Sequence, residues 1–408
     1  MIDIRAARED PEGLRAAVER KGGGAAFDEL LATDARWREV TARVEALRAG
    51  LRLKGRPSEE QLAELAARKD ALRAAEAELA QVAGARDGWL ARVPNPPDPS
   101  VPDGGEDDAV EVRRVGQPPR FDFPVADHVT LGGFDMERGA RLSGSRFAYR
   151  VGPTALVELS LYRYALDRLV AEGFLPVLPP VLVREEAMYG TGFLPTEAAN
   201  LYTVEPDGLY LTGTSEVALA AYHQAEILEE PLPLRYAGYS TCFRREAGAA
   251  GRDTRGAFRV HQFDKVEMFV WTTPEASAAE HEALLALEES LVQGLGLAYR
   301  VVNTAANDLG APAAKKYDIE AWIPSQERYR EITSCSNTTD YQARRLGVRY
   351  RSGEGLRHPH TLNGTAMTAR WLIALLETYQ DVGGAVAVPD ALVRLGAPAR
   401  LEPAAAPA

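Results

Sequence analysis

From residue 27 to residue 54, the seam positions Leu30, Thr33, Trp37, Val40, Val44, Leu47 and Leu51 recur at alternating spacings of three and four. A second seam, from Ser58 to about Leu90, runs through Leu65, Leu72, Ala75, Leu79 and Val82. The intervening positions are mostly Ala, Arg and Glu, all good helix formers. Each segment therefore has a narrow apolar stripe and a broad polar face, the pattern of a helix pressed against one partner. Lys54-Gly55-Arg56-Pro57-Ser58 interrupts them, with Gly as a stop, Pro as a breaker and Ser58 as an N-cap. The pattern predicts an antiparallel two-helix coiled-coil arm over about 27–92, inside an N-terminal helical domain of residues 1–100. At about 1.5 Å per residue, such an arm projects on the order of 40 Å.

The stretch Val93–Gly105 holds five prolines and reads as a stiff, extended linker. Beyond it, in a body of residues 101–408, Leu156, Leu159, Leu161, Tyr164, Leu166 and Leu169 predict a helix over 152–172, stopped by Gly173. Strand-like runs follow near 209–213, 234–244, 259–271, 298–303, 317–323 and 328–334, and helices at 274–295 and 366–380. The strands are joined by hairpin-sized or longer loops, not regular βαβ units. An α+β fold follows, an antiparallel sheet flanked by helices.

The chain of 408 residues is 46% hydrophobic and 26% charged, an ordinary composition with room for a large core and a second domain. No apolar run approaches 18 residues, and Met1-Ile2-Asp3-Ile4-Arg5 lacks the apolar core of a signal peptide. Two cysteines, Cys242 and Cys335, make no disulfide framework. No Cys/His cluster has metal-ligand spacing, so zinc is not expected. A cytoplasmic setting is the expectation, with no membrane partner. The net charge of −12 argues against general coating of nucleic acid, so a nucleic-acid partner needs a local basic surface. Arg48, Arg52, Lys54 and Arg56 at the arm's turn supply one, although a solvated charged end is the bland alternative. Neither a Walker-A nor a GxGxxG glycine pattern is present.

The densest chemistry lies in residues 243–269. Arg244 and Glu246 end one apolar run; Arg259, Phe263 and Glu267 sit on the next; Ala247–Gly256 between them holds three glycines, Arg252 and Arg255. Strands carry buried arginine and glutamate only when something satisfies them, and an anionic ligand with an aromatic base would do so. A salt-bridged hairpin accounts for any single pair, but less well for five such residues around one loop. The arrangement resembles motif 2 of the class II aminoacyl-tRNA synthetases, in the form found in the seryl-tRNA synthetase family. Thr212-Gly213-Thr214-Ser215-Glu216 resembles that family's serine-binding segment, and Arg330–Asn337 with Gln342-Ala343-Arg344-Arg345 its ATP-binding strand and following turn. Asn363-Gly364-Thr365 leading to Arg370 resembles motif 3, and Gly173-Phe174 to Pro180 resembles motif 1. The order is the family's, over most of residues 130–395, in a form similar to that of high-GC Gram-positive bacteria.

The resemblance implies a ligase that activates L-serine with ATP and transfers the seryl group to the 3′ end of tRNA(Ser), leaving tRNA(Sec) open. Arg244 and Arg370 take the catalytic positions. ATP-binding positions are Arg244, Glu246, Arg259, Val260, His261, Gln262, Phe263, Glu331, Ser334 and Arg370, with Glu331 also toward Mg²⁺. Thr214, Ser215, Glu216, Glu267, Asn363 and Thr365 take the serine. The family grips tRNA with its arm and forms a homodimer through motif 1, for which Leu156, Leu159, Tyr162, Leu175, Val177 and Leu178 are the apolar candidates here.

Single residues have plainer readings beside these. Thr214 suits a strand by propensity, Asn363-Gly364 suits a turn, and His261 suits a structural hydrogen bond better than a general base. Cys335 has no partner that would make it a nucleophile. The motif 3 stretch is one residue shorter than the common Gly-rich version, Met367 replaces a smaller aliphatic residue, and Ser215 replaces a common alanine. These departures keep open a specialised paralogue serving resistance or secondary metabolism. A non-catalytic tRNA-binding paralogue is the less favoured alternative, since Arg244, Arg259 and Arg370 are all retained.

Overall fold

The structure, a computed structural model, describes residues 1–51, 59–247, 253, 255–353 and 355–403. The chain forms two compact units, Met1–Pro96 and Pro97–Ala408.

In the first unit, short helices Ile4–Glu9 and Pro11–Glu19 precede the two long ones, α1 (Gly24–Ala49) and α2 (Glu59–Arg92). Phe27, Leu30, Leu90 and Val93 join Ile2, Ala7 and Val18 in a core at the base. Farther along, the hairpin is held by a thin seam of Val40, Val44 and Ala75, with Leu47, Leu72 and Leu79 against them. The positions read from the heptad spacing are the ones that turn inward. One seam contact is ionic: Asp34, almost fully buried, accepts two hydrogen bonds from Arg8 at 2.8 and 2.7 Å, with Arg38 and Arg86 also near. Across the seam, Arg36 and Arg43 pair with Glu78, and Arg48 with Glu76 at 2.8 Å. Such exposed pairs add fractions of a kcal/mol each, so they set register more than stability.

The second unit is built on an eight-stranded sheet. Its strands are β1 (Val110–Val115), β2 (Leu175–Val177, after helix α3, Pro153–Ala171), β3 (Leu234–Phe243) and β4 (Gln262–Thr272). After helix α4 (Ser277–Gly294) come β5 (Tyr299–Asn303), β6 (Lys315–Ile323), β7 (Arg328–Thr339) and β8 (His360–Thr368), which leads directly into helix α5 (Ala369–Thr378). The spatial order is β1-β5-β6-β7-β8-β4-β3-β2, antiparallel throughout except for the parallel β2–β3 edge. Strand β4 shows how the layers divide. Val266, Met268 and Val270 face the main core with Leu161 of α3, Leu291 of α4 and Leu372 of α5. Phe269 and Trp271, on the other face, pack with Leu219 and Leu346 in a smaller core. Phe263, Lys265 and Glu267 continue that second face where it opens into a cavity.

Several elements differ from the sequence reading. The run at 209–213 is strand Leu209–Leu211, but it belongs to a separate sheet with Leu182–Arg184 and Tyr202–Val204. The strand expected from 259 begins at Gln262, so Arg259 stands in the loop before it. The helix expected from 366 starts at Ala369, because 366–368 still belong to β8, with Met367 and Thr368 paired to β4. Asn363-Gly364 is not a turn: Gly364 lies mid-strand between Met268 and Cys335. Strands β1 and β8 are additional to that reading; β1 is an almost wholly exposed edge whose valines at 110 and 112 face solvent. No described helix is long and apolar enough to cross a membrane.

Candidate active site

A cavity of about 640 Å³ opens on the face of β4, β6, β7 and β8. Two β-bulges decide which side chains enter it. On β7 the register against β6 slips between Thr333 and Glu331. The extra residue changes the parity of the strand, so that Glu331 and the even-numbered Ser334, Ser336 and Thr338 all line the cavity. On β8 a slip between Met367 and Thr365 lets Asn363, Thr365 and then Thr368 do the same. Simple alternation would have turned Glu331 and Thr368 to the opposite face.

One end of the cavity is carboxylate-rich. Glu216 Oε1 accepts from Gln342 Nε2 at 2.7 Å and Asn363 Nδ2 at 3.0 Å, leaving Oε2 with no hydrogen-bond partner among the described residues. Burial, then the charge of Glu267, pushes the Glu216 carboxyl up to about 7. Glu267 forms an ion pair with Lys265 and accepts from Thr365 Oγ1 at 3.4 Å. Lys265 Nζ also donates to Thr214 Oγ1 at 2.7 Å. The result is a buried, hydrogen-bonded set with two carboxylates against one ammonium, and so an excess of negative charge.

The other end is cationic and aromatic. Arg244 donates from Nε to Gly213 O at 3.1 Å, its guanidinium lies 5.3 Å from the Phe263 ring centroid, and no described carboxylate pairs with it. Arg370, at the start of α5, donates from Nη1 to Glu331 Oε2 at 3.0 Å and from Nε to Phe258 O at 3.3 Å. Against the effect of burial, Arg370 and Lys316 hold the Glu331 carboxyl well below the usual carboxylate range. Arg259 pairs with Glu246 at 2.6 Å, and Arg330 grips Asp253 with two bonds of 2.9 and 2.8 Å. The Phe258 ring lies beneath both Arg330 (3.8 Å) and Arg370 (4.7 Å).

Of the residues expected from the sequence, Thr214, Glu216, Arg244, Glu246, Arg259, Val260, Phe263, Glu267, Glu331, Ser334, Asn363, Thr365 and Arg370 line this one cavity. Three do not. Ser215 Oγ donates to the Gly238 carbonyl at 3.3 Å, His261 Nδ1 lies 2.9 Å from the Arg244 carbonyl, and Gln262 is exposed. The His261 ring is thus held against the backbone just before β4. Arg48 is paired to Glu76 on the arm, while Arg52, Lys54, Arg56 and the loop's Arg252 lie outside the described residues. The sequence reading gave no role to Lys265, Lys316 or Phe258, and none to Gln342 beyond its place in the turn after the ATP-binding strand. Lys265 was findable, since it alternates with Phe263 and Glu267 on one strand face. Gln342 was not, because it reaches Glu216 across 126 residues of chain.

Comparison with known proteins fits both units. Residues 1–97 match the seryl-tRNA synthetase N-terminal domain, and residues 202–379 match the tRNA synthetase class II core domain (G, H, P, S and T). The serine–tRNA ligase of Nocardia farcinica is 50% identical over 96% of this chain and 97% of its own. The chain belongs to the seryl-tRNA synthetase family. The serine–tRNA ligase of Leifsonia xyli is 49% identical over 96% of each chain. Among solved structures, the seryl-tRNA synthetase of Pyrococcus horikoshii complexed with ATP superposes with a TM-score of 0.93 at 39% identity, covering 99% of this chain and 100% of the other. The cytoplasmic serine–tRNA ligase of Naegleria fowleri, in complex with AMP, gives 0.86 at 35% identity over 97% and 96%.

Proposed function

We propose that this seryl-tRNA synthetase family member is a serine–tRNA ligase, activating L-serine with ATP and passing the seryl group to the 3′ end of tRNA(Ser). The observation that carries the reading is the polarity of one cavity: a carboxylate pair at one end, with Arg244 and Arg370 at the other. In activation the serine carboxylate attacks the α-phosphorus, a new O–P bond forms, and pyrophosphate leaves with its bonding pair. Two anions must meet, so the protein's contribution is positive charge and alignment. Arg244, bonded to Gly213 next to Thr214 and lying beside Phe263, is placed to neutralise both reacting anions. Phe263 offers a ring face to adenine, Glu246 a carboxylate to its amino edge, and Arg370 a guanidinium to the distal phosphates. At the other end, Glu216 Oε2 takes the ammonium of serine. The Glu267–Thr365 pair takes the hydroxyl, while Lys265 keeps Glu267 from adding a second uncompensated charge.

Magnesium enters as the partner of ATP. Glu331, a cavity-lining carboxylate held ionised with one oxygen on Arg370, fits that role, since one carboxylate plus phosphate oxygens is an ordinary setting for this ion. Bound there, the ion would neutralise phosphate charge. Residues 1–96, with the hairpin of α1 and α2, serve as the tRNA-gripping arm. For a homodimer, Leu156, Leu159, Leu175 and Leu178 are exposed on the second unit and available. Tyr162 is not: it faces inward and donates to Glu158 at 2.7 Å. Val177 is half-buried against the smaller core.

Incubation with ATP, labelled serine and total tRNA tests the reading. Acid-stable label should appear on tRNA(Ser) and depend on ATP; absence of label on any tRNA, with the protein folded, would refute it.

A further inference from the structure

Glu377 lies in the last turn of α5, fully buried, seven residues beyond Arg370 on the same helix. A carboxylate there faces the negative end of the helix dipole and is cut off from water, so donors must compensate it. Three do: the backbone N–H of His128 (3.1 Å), the backbone N–H of Ser325 (3.0 Å) and the His128 ring at Nδ1 (2.9 Å). The other ring nitrogen, Nε2, accepts the backbone N–H of Ala257 at 3.0 Å. An amide N–H can only donate, so Nε2 carries no hydrogen and Nδ1–H points at Glu377. The imidazole is therefore a two-ended strut from the far end of α5 to the foot of the 244–259 loop.

What stands on that foot is Phe258. Its ring supports the guanidinium groups of Arg330 and Arg370, and its carbonyl accepts from Arg370 Nε. The chain is also unusually close to the strut. Gly256 has φ +83°, and a Cβ built on it would stand 2.5 Å from His128 Nε2. His128 itself is not part of the 640 Å³ cavity; it borders a second one of about 600 Å³ with Asp127, Arg255, Gly256 and Ser325.

We propose that His128 is a positioning residue for the ATP half of the site: its ring ties the loop foot to the end of α5, holding Phe258 and Arg370 where they receive the nucleotide. This rests on the functional reading above. The serine end is built from Gln342, Asn363 and Lys265 and shares none of these bonds, so the strut should act on ATP and not on serine.

The test is serine-dependent ATP–pyrophosphate exchange by the full-length chain, with KM measured separately for each substrate. His128→Ala should raise KM for ATP about tenfold and leave KM for serine within about twofold. Gly256→Ala, which keeps the His128–Glu377 pair but pushes the loop off the ring, should give the same split. Imidazole in the medium should restore the ATP KM of His128→Ala, entering from the neighbouring cavity, and have no effect on Gly256→Ala. An unchanged ATP KM in both variants, or equal shifts for both substrates, would overturn the proposal. If His128→Ala does not fold, Gly256→Ala decides by the same criterion. Failure of the wild-type protein to catalyse any serine-dependent exchange would instead overturn the functional reading.

Discussion

On the proposed function, serine recognition turns on Glu216, and its environment would make that recognition depend on pH. Burial and the Glu267 charge raise its carboxyl to about 7, so it is neutral below that pH and ionised above it. A neutral acid cannot pair with the serine ammonium. kcat/KM for serine should therefore fall about tenfold per pH unit below 7, with KM for ATP little changed. Exchange rates between about pH 5.5 and 8 measure this, and a flat serine profile would contradict it. Much of this site was legible, because Arg244, Glu246, Glu267 and Arg370 are ionisable groups in strand or helix-start settings that core packing does not explain. What escaped were its supports. Gln342 and Lys316 look like surface residues in sequence, and only the fold brings Lys316 to the cavity wall and Gln342 to Glu216.

At the scale of elements, the two bulges matter most, since they convert alternating strands into a wall of polar groups facing one way. Sequence gives no hint of them: Ile332 and Ala366, the residues at the slips, are ordinary strand residues. The same limit explains why the α5 helix was read three residues early and why β8 was passed over. Its apolar members, Leu362, Ala366 and Met367, do not alternate across a bulge. Gly364 lies where β8 passes Glu288 of α4. A Cβ there would stand 2.8 Å from Glu288 Oε1, 2.9 Å from Met268 Cε and 3.1 Å from Cys335 Cβ. Gly364→Ala should therefore cost about 1–3 kcal/mol by overpacking. Urea unfolding would measure it, and a midpoint equal to wild type would refute the packing account.

At the scale of the molecule, the arm and the body were separable from sequence because their patterns differ so plainly: heptads, then prolines, then strands. The boundary falls at Pro96–Pro97, inside the linker read from its prolines. Two compact units predict separable activities. Deleting roughly residues 30–90 should leave serine activation nearly intact and abolish tRNA charging. Equal loss of both would mean that the arm supports the body's folding. The exposed leucines of α3 and β2 predict association, so the chain should sediment near twice its 44.3 kDa mass at low micromolar concentration. Sedimentation as a monomer would leave those leucines unexplained. The central claim is that this cavity activates serine, and ATP–pyrophosphate exchange run with each amino acid tests it most directly. Serine should drive exchange strongly. Alanine should be weaker by about 10⁴, because buried groups lose their hydroxyl partner, and threonine by only about 10², because one methyl is excluded by room alone. Arg244→Ala should abolish the serine signal. Exchange driven by a different amino acid, or an Arg244→Ala protein active within about tenfold of wild type, would contradict the account.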